Sequence, residues 1–427
     1  MASKRLNTFN VLLVSCAVVA VGYVVRTPWL PIRRELKASL GYPKDSLLNF
    51  TELTGRYGYL SEEHTVLTED GYILTMFRIA KARHCHKRKR SPPVLLMHGL
   101  LLSSDAWIDS GPSSGLAYLL ADACYDLWVG NFRGNYYGRR HQTLNPDKDP
   151  KFWDFYIDEM GRFDVPAMID YIVDYTGFKK INYIGFSQGT GTFLVMCSER
   201  PGYCDKVKLL ISLAPAARQF NSQSALFRGI TQTFEKLEGP FSLYGLFEVF
   251  ANGAVSQEFL AFFCQVSDVT EKMCEVVMNI FDKVDSPHPG SITNDTTKVL
   301  FGHFPAGTSL RNMARYGQSM RSRRFQKFDY GKEKNLVLYG SEQPPKYNLS
   351  ATTVPVLCLY GRNDGLVDTR DVAWLLARLP NVLEARLVED PMWNHLDMTY
   401  SQYTSYALFP KIHEYLQKFT NFKSKYY

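Results

Sequence analysis

Short, wholly apolar runs recur along the chain, each closed by small or polar residues. Val94 to Met97 ends at His98-Gly99, Leu127 to Val129 at Gly130-Asn131, and Ile181 to Ile184 at Gly185. Leu209 to Leu213 ends at Ala214-Pro215, and Val356 to Tyr360 at Gly361. An apolar run without alternation suits a strand buried on both faces, as in a parallel sheet. Between these runs, Val165 to Tyr175, Thr192 to Glu199 and Asp371 to Arg378 carry apolar residues at helical spacing. Strands alternating with helices predict an α/β fold with a mostly parallel, doubly wound sheet. Upstream, His64 to Leu67 and Ile73 to Ile79 flank Glu69-Asp70-Gly71, which predicts a hairpin.

The alternation stops between about Arg218 and Gly340 and resumes at Val354. The interrupting stretch is rich in aromatics, as in Phe241 to Phe247 and Phe259 to Phe263, and predicts a mainly helical insertion without strand-ending glycines. The expected organisation is a core in two parts, residues 23–217 and 341–427, around an insertion at 218–340. Residues 1–22 form a separate segment: Lys4 and Arg5 precede an apolar stretch, and Ala20 and Gly22 stand at the −3 and −1 positions of a cleavage site. This is the layout of a secretory signal peptide, with an uncleaved membrane anchor as the alternative. At about 15 residues the stretch is shorter than the ~20 that a membrane-spanning helix needs. No stable transmembrane span is expected after cleavage.

Composition narrows the class. Hydrophobic residues make up 45% and charged residues 21%, which excludes a disordered or fibrous chain. The net charge of +7 is spread along the chain apart from Lys87 to Arg90, so no nucleic-acid partner is indicated, and a lipid surface suits it better. Asn49, Asn294 and Asn348 each open an Asn-x-Ser/Thr tripeptide and are glycosylation candidates on a secretory route. Of eight cysteines, Cys16 would leave with the signal peptide, and the odd remainder requires at least one free thiol. Cys264 and Cys274 are the best disulfide pair by proximity, while Cys124, Cys197 and Cys358 read as small buried apolar side chains.

The chemistry lies in Gly185-Phe186-Ser187-Gln188-Gly189, a G-x-S-x-G sequence between a predicted strand and a predicted helix. That context is what a serine nucleophile needs: a sharp turn lifts its oxygen clear of the sheet, and flanking glycines let neighbouring backbone pass. The base must follow in the order Ser, acid, His. His395 fits, in a loop after the extended run Ala385 to Val388. His413 falls in an amphipathic C-terminal helix and reads as a surface residue, and His288 and His303 fall within the insertion. Asp364, directly after Val356 to Tyr360, is the expected orienting acid, with Asp368 as competitor or helix cap. Two backbone N–H donors should hold the tetrahedral oxyanion, one from Gln188 and one from Leu100, after the strand that ends in His98. His98 precedes the serine, out of order for a base, and is expected to be structural. No metal motif and no dinucleotide-binding glycine pattern occurs, so neither metal nor cofactor is expected.

With these residues placed, the chain resembles the acid lipases of the gastric and lysosomal type, within the α/β-hydrolases, over nearly all of its mature length. The resemblance rests on Thr68-Glu-Asp-Gly-Tyr72, Leu95 to Leu101, Asn131-Phe-Arg-Gly-Asn135, Phe152-Trp-Asp-Phe155 and Glu159-Met-Gly161. It continues through Tyr183 to Gly189, Pro305-Ala-Gly-Thr-Ser309, Asn363-Asp364 and Asn394-His395. Met97, where many members have Gln, and the strongly basic loop from His84 to Arg90 depart from the pattern. The resemblance implies an α/β-hydrolase fold with a cap, part of it a lid, over the active site. It implies a Ser187, Asp364 and His395 triad, oxyanion donors at Leu100 and Gln188, and a Cys264–Cys274 disulfide. The implied activity is hydrolysis of triacylglycerols or cholesteryl esters at a lipid–water interface, in a secreted or lysosomal setting. The alternatives are a carboxylesterase of smaller, soluble esters and an inactive lipid-binding protein.

Overall fold

The computed structural model describes residues 31–85, 92–264, 270, 274, 288 and 290–420. The expected signal peptide, Cys16 and Lys87 to Arg90 lie outside the described residues.

Eight strands form one sheet in the order β1-β2-β4-β3-β5-β6-β9-β10. They are β1 (Leu60–Leu67), β2 (Ile73–Lys81), β3 (Val94–Met97), β4 (Leu127–Gly130), β5 (Ile181–Phe186), β6 (Val207–Leu213), β9 (Val356–Tyr360) and β10 (Val382–Leu387). β1 pairs with β2, and β2 with β4, antiparallel; every other pairing in the sheet is parallel. The apolar runs mark the central strands because both faces there are covered. Leu96, Ile184, Ile211 and Leu357 face one core, while Leu95, Tyr183, Leu210 and Val356 face the other. Helices α1 (Phe50–Arg56), α2 (Leu116–Asp122) and α11 (Phe409–Thr420) cover the first face. The second is covered by α3 (Val165–Thr176), α4 (Gln188–Glu199) and α10 (Thr369–Leu376). The expected hydrolase sheet is therefore present, wound on both sides.

Between β6 and β9 come α5 (Ala225–Leu243), α6 (Val255–Phe263), α7 (Asn294–His303), α8 (Leu310–Ser319) and α9 (Lys332–Tyr339). The helical expectation holds here with one addition. A short antiparallel ladder joins β7 (Glu248–Val249) to β8 (Thr308–Ser309), too short to leave a periodic signal. α8 packs closely on α5: a Cβ on Gly317 would lie 2.4 Å from the Thr231 carbonyl oxygen.

The cysteine assignments need correction. Cys264–Cys274 is bonded as expected, but so are Cys85–Cys124 and Cys197–Cys204, so Cys124 and Cys197 are not free apolar side chains. Cys85 follows β2 and Cys124 follows α2, and the fold brings their Cα atoms to 5.3 Å from 39 residues apart. Cys197 and Cys204 bracket the turn after α4, and their burial mimics an apolar pattern. Cys358 alone among the described cysteines is free, buried in β9, with its thiol pushed up to about 12 by burial.

Candidate active site

Parallel register places the C-terminal ends of the central strands along one edge. Met97 lies opposite Gly185, Gly185 opposite Ser212, and Leu213 opposite Leu359. The loops leaving that edge carry Leu100, Ser187, Asp364 and His395. In open α/β sheets this edge is where reactive groups gather.

Ser187 links β5 to α4 with φ 51° and ψ −114°, a conformation that L-residues rarely adopt. The flanking glycines are required by contact. A Cβ on Gly189 would fall 2.4 Å from the Met97 carbonyl oxygen, and one on Gly185 would fall 2.7 Å from the Thr190 nitrogen. The elbow therefore packs backbone to backbone against the end of β3.

His395 Nε2 lies 2.9 Å from Ser187 Oγ, and His395 Nδ1 lies 2.7 Å from Asp364 Oδ2. A carboxylate only accepts, so Nδ1 carries the proton and Nε2 is left to accept from the serine hydroxyl. Asp364 is fully buried, and its Oδ1 accepts from the Leu366 and Val367 N–H groups at 2.9 and 2.7 Å. Asp368, the competitor, caps α10 by accepting from the Arg370 N–H at 2.8 Å. The Phe186 ring packs against the His395 imidazole at 4.9 Å between centroids.

Beside Ser187, a Cβ on Gly99 would lie 3.3 Å from the serine Cβ, so the backbone leading to Leu100 runs directly past the Ser187 side chain. Among the described residues, neither the Leu100 nor the Gln188 N–H donates to a carbonyl. The Leu100 loop is held by residues of the resemblance motifs. The Ala306 N–H donates to the Leu101 carbonyl at 2.8 Å, and the Tyr136 N–H to the Ala306 carbonyl at 3.1 Å. Arg133 of the Asn131-to-Asn135 motif is buried between Asp164, at 2.6 Å, and Asp70 of the Thr68-to-Tyr72 motif, also at 2.6 Å.

Four further histidines among the described residues are held in structural contacts. His98 is buried beneath the Leu100 loop and bonds backbone on both sides. His303 pairs with Asp109 at 2.7 Å. His288 reaches Asp390 at 2.9 Å and Asp397 at 2.8 Å, on either side of His395. His413, half-buried rather than on the open surface, meets the Tyr125 hydroxyl at 3.0 Å. Sequence gives no signal for the pairings of His288, His303 and His413, because each joins segments far apart in the chain.

Ser187 and His395 open into a cavity of about 410 Å³. Its wall comes largely from segments between β6 and β9, among them Phe227, Ile230, Phe250, Leu260, Met313 and Tyr316. Apolar walls around a serine–imidazole–carboxylate relay suit attack on a carbonyl carried by an apolar molecule. Among the described residues, no group of three or more His, Cys, Asp or Glu side chains could hold a metal ion. Among them also, no helix is long and apolar enough to cross a membrane.

The chain is similar to known proteins over most of its length. Residues 92–400 match the family model of the alpha/beta hydrolase fold, and residues 50–111 that of a partial alpha/beta-hydrolase lipase region. Lipase 1 of Drosophila melanogaster is 42% identical over 360 residues, covering 84% of this chain and 77% of that protein. Lipase 3 of the same organism is 36% identical, covering 85% and 91%. The human gastric triacylglycerol lipase is also 36% identical, covering 83% of this chain and 87% of its own length. The chain belongs to the acid lipase family of the α/β-hydrolases.

Proposed function

We propose that this protein is a lipase that hydrolyses carboxylic ester bonds of neutral lipids, triacylglycerols first and cholesteryl esters within reach of the same site. The observation that carries this is the Ser187–His395–Asp364 relay, whose serine and histidine line an apolar cavity. Ser187 Oγ attacks the ester carbonyl carbon while His395 Nε2 takes its proton, and Asp364 stabilises the imidazolium. The oxyanion is received by the N–H groups of Leu100 and Gln188, each such donor being worth about 10²–10³ in rate. His395 then protonates the departing alcohol. The same imidazole activates a water that releases the fatty acid and frees Ser187.

The segments at 218–340 act as a cap over this cavity, part of it a lid. Leu243, Tyr244 and Phe259 are exposed on α5, its C-terminal turn and α6, which supports contact with a lipid–water interface. The three disulfides and the exposed Asn49, Asn294 and Asn348 support a secretory route, ending in extracellular fluid or the lysosomal lumen.

The test is hydrolysis of a long-chain triacylglycerol emulsion, a cholesteryl ester and a soluble butyrate ester, at pH 5 and pH 7.5, beside Ser187→Ala. Long-chain activity lost in the variant is the expected result. Activity on the soluble ester alone would make the protein a carboxylesterase, and activity on none, from folded protein, would overturn the proposal.

A further inference from the structure

One oxyanion donor is gripped from outside the sheet. Gln188 is the first residue of α4, and its buried side chain leaves the elbow toward α8. There its Oε1 accepts from Asn312 Nδ2 at 2.9 Å and from the Tyr316 hydroxyl at 3.2 Å. Its Nε2 lies 3.6 Å from Met160 Sδ. Asn312 is itself fixed. Its Nδ2 also donates to Thr308 Oγ1 at 3.1 Å, and its N–H donates to Ser309 Oγ at 3.0 Å, a hydroxyl that in turn donates to the Phe155 carbonyl at 2.5 Å. Tyr316 lies one helical turn further along α8 and lines the substrate cavity. All these side chains are buried, so little water competes for the Gln188 carbonyl.

We infer that Asn312 and Tyr316 are positioning residues for the Gln188 N–H, and that efficient ester hydrolysis depends on the seating of α8 against the nucleophile elbow. The inference rests on the proposed lipase reading. The elbow residue before Gln188 is held at φ 51°, an uncommon conformation that surrounding contacts must sustain. Two donors from one rigid helix resist rotation of residue 188, and with it of the N–H that must point at the developing charge. An oxyanion donor acts only when aimed at where the oxygen will be in the transition state, so a small rotation lowers turnover while substrate binding is unchanged. The cavity wall and the catalytic geometry thereby share one element: a displacement of α8 that reshapes the pocket also loosens the oxyanion hole.

Two variants test this. Tyr316→Phe removes one hydroxyl and keeps the ring that lines the cavity. Asn312→Asp keeps the shape but replaces the donor with a carboxylate facing the Gln188 carbonyl oxygen. Each is assayed for kcat and KM on a triacylglycerol emulsion from pH 4.5 to 8. Each is also titrated with a long-chain alkyl trifluoromethyl ketone and with the matching methyl ketone. With the first ketone, Ser187 Oγ adds to the carbonyl carbon, its proton passes to His395, and the carbonyl oxygen becomes an oxyanion. The second reports pocket binding without that charge.

The expected result is a kcat about tenfold lower in each variant with KM within twofold, and a matching loss of trifluoromethyl ketone affinity with methyl ketone affinity unchanged. For Asn312→Asp the deficit grows from pH 5 to pH 8, because the introduced carboxyl donates to Gln188 only while protonated. Unchanged kcat in Tyr316→Phe, or equal losses for both ketones, would overturn the inference and leave α8 as pocket wall alone. If Asn312→Asp does not fold, as read by its thermal melt, Tyr316→Phe decides on the ketone pair. Failure of the lipase reading is distinguishable, since the parent protein would then show no Ser187-dependent hydrolysis of the triacylglycerol emulsion, whatever the two variants do.

Discussion

The backbone N–H of Phe132 donates to Nε2 of His98 across 3.2 Å. Nε2 therefore accepts, the imidazole proton sits on Nδ1, and it donates to the Gly99 carbonyl at 2.8 Å. In a trans peptide the carbonyl and the next N–H point in opposite directions. Anchoring the Gly99 oxygen thus aims the Leu100 N–H away from His98.

This arrangement needs a neutral His98. Burial holds its pKa down at about 4, only partly opposed by the bond to Gly99. A folded pKa below the unfolded value of ~6.5 means that the unfolded chain takes up a proton first on acidification. The stability from neutral His98 is complete above about pH 6.5 and is lost as pH falls toward 4. His98→Gln, which can still donate and accept, should lose about 2 kcal/mol less than the parent between pH 7.5 and pH 4.5. Urea titrations at both pH values check this, and equal losses would refute it.

His303 carries the opposite sign. Burial works to lower its pKa, but the carboxylates of Asp109 and Asp105 outweigh burial and raise it to about 9. Its contribution is present in full below about pH 6.5 and is lost as pH rises through 9. Burial also raises the Asp109 carboxyl to about 6, so the pair is fully charged only between these two pKa values, and His303→Gln should destabilise by about 1–3 kcal/mol more at pH 7 than at pH 9.5. Paired thermal melts at the two values measure the difference, and a penalty that grows with pH would contradict it.

Asp364→Asn should lower kcat by about 10⁴ with the fold intact. The amide would donate to His395 Nδ1, move the imidazole proton to Nε2, and leave nothing to accept from Ser187. One remaining oxygen still serves the Leu366 and Val367 N–H groups, so the melt should shift little. Retention of a tenth or more of the parental kcat would remove Asp364 from the relay.

The disulfides should rank by the loop that each closes. Replacing Cys85 and Cys124 together by Ser frees a 39-residue separation and should cost about 4 kcal/mol. The same change at Cys197 and Cys204 frees a separation of 7 and should cost about 2 kcal/mol. Denaturant midpoints of the two double variants give the order.

What was legible in sequence is what neighbouring residues impose on one another. β3 and β9 match the apolar runs Val94 to Met97 and Val356 to Tyr360 end for end, because strands covered on both faces must be apolar throughout. Ser187 stood out because its elbow tolerates only glycine two residues to either side, and chain order then singled out His395 and Asp364. Tertiary structure decided the rest: the partners of Cys85 and Cys204, the two-residue ladder of β7 with β8, and the carboxylates that claim His288 and His303. It also brought Asn312 and Tyr316 to Gln188 across 124 and 128 residues. A backbone constraint leaves its mark within a few positions of the chain. A contact between layers depends on how helices and sheet stack, and that burial leaves no periodic trace in either partner's own neighbourhood.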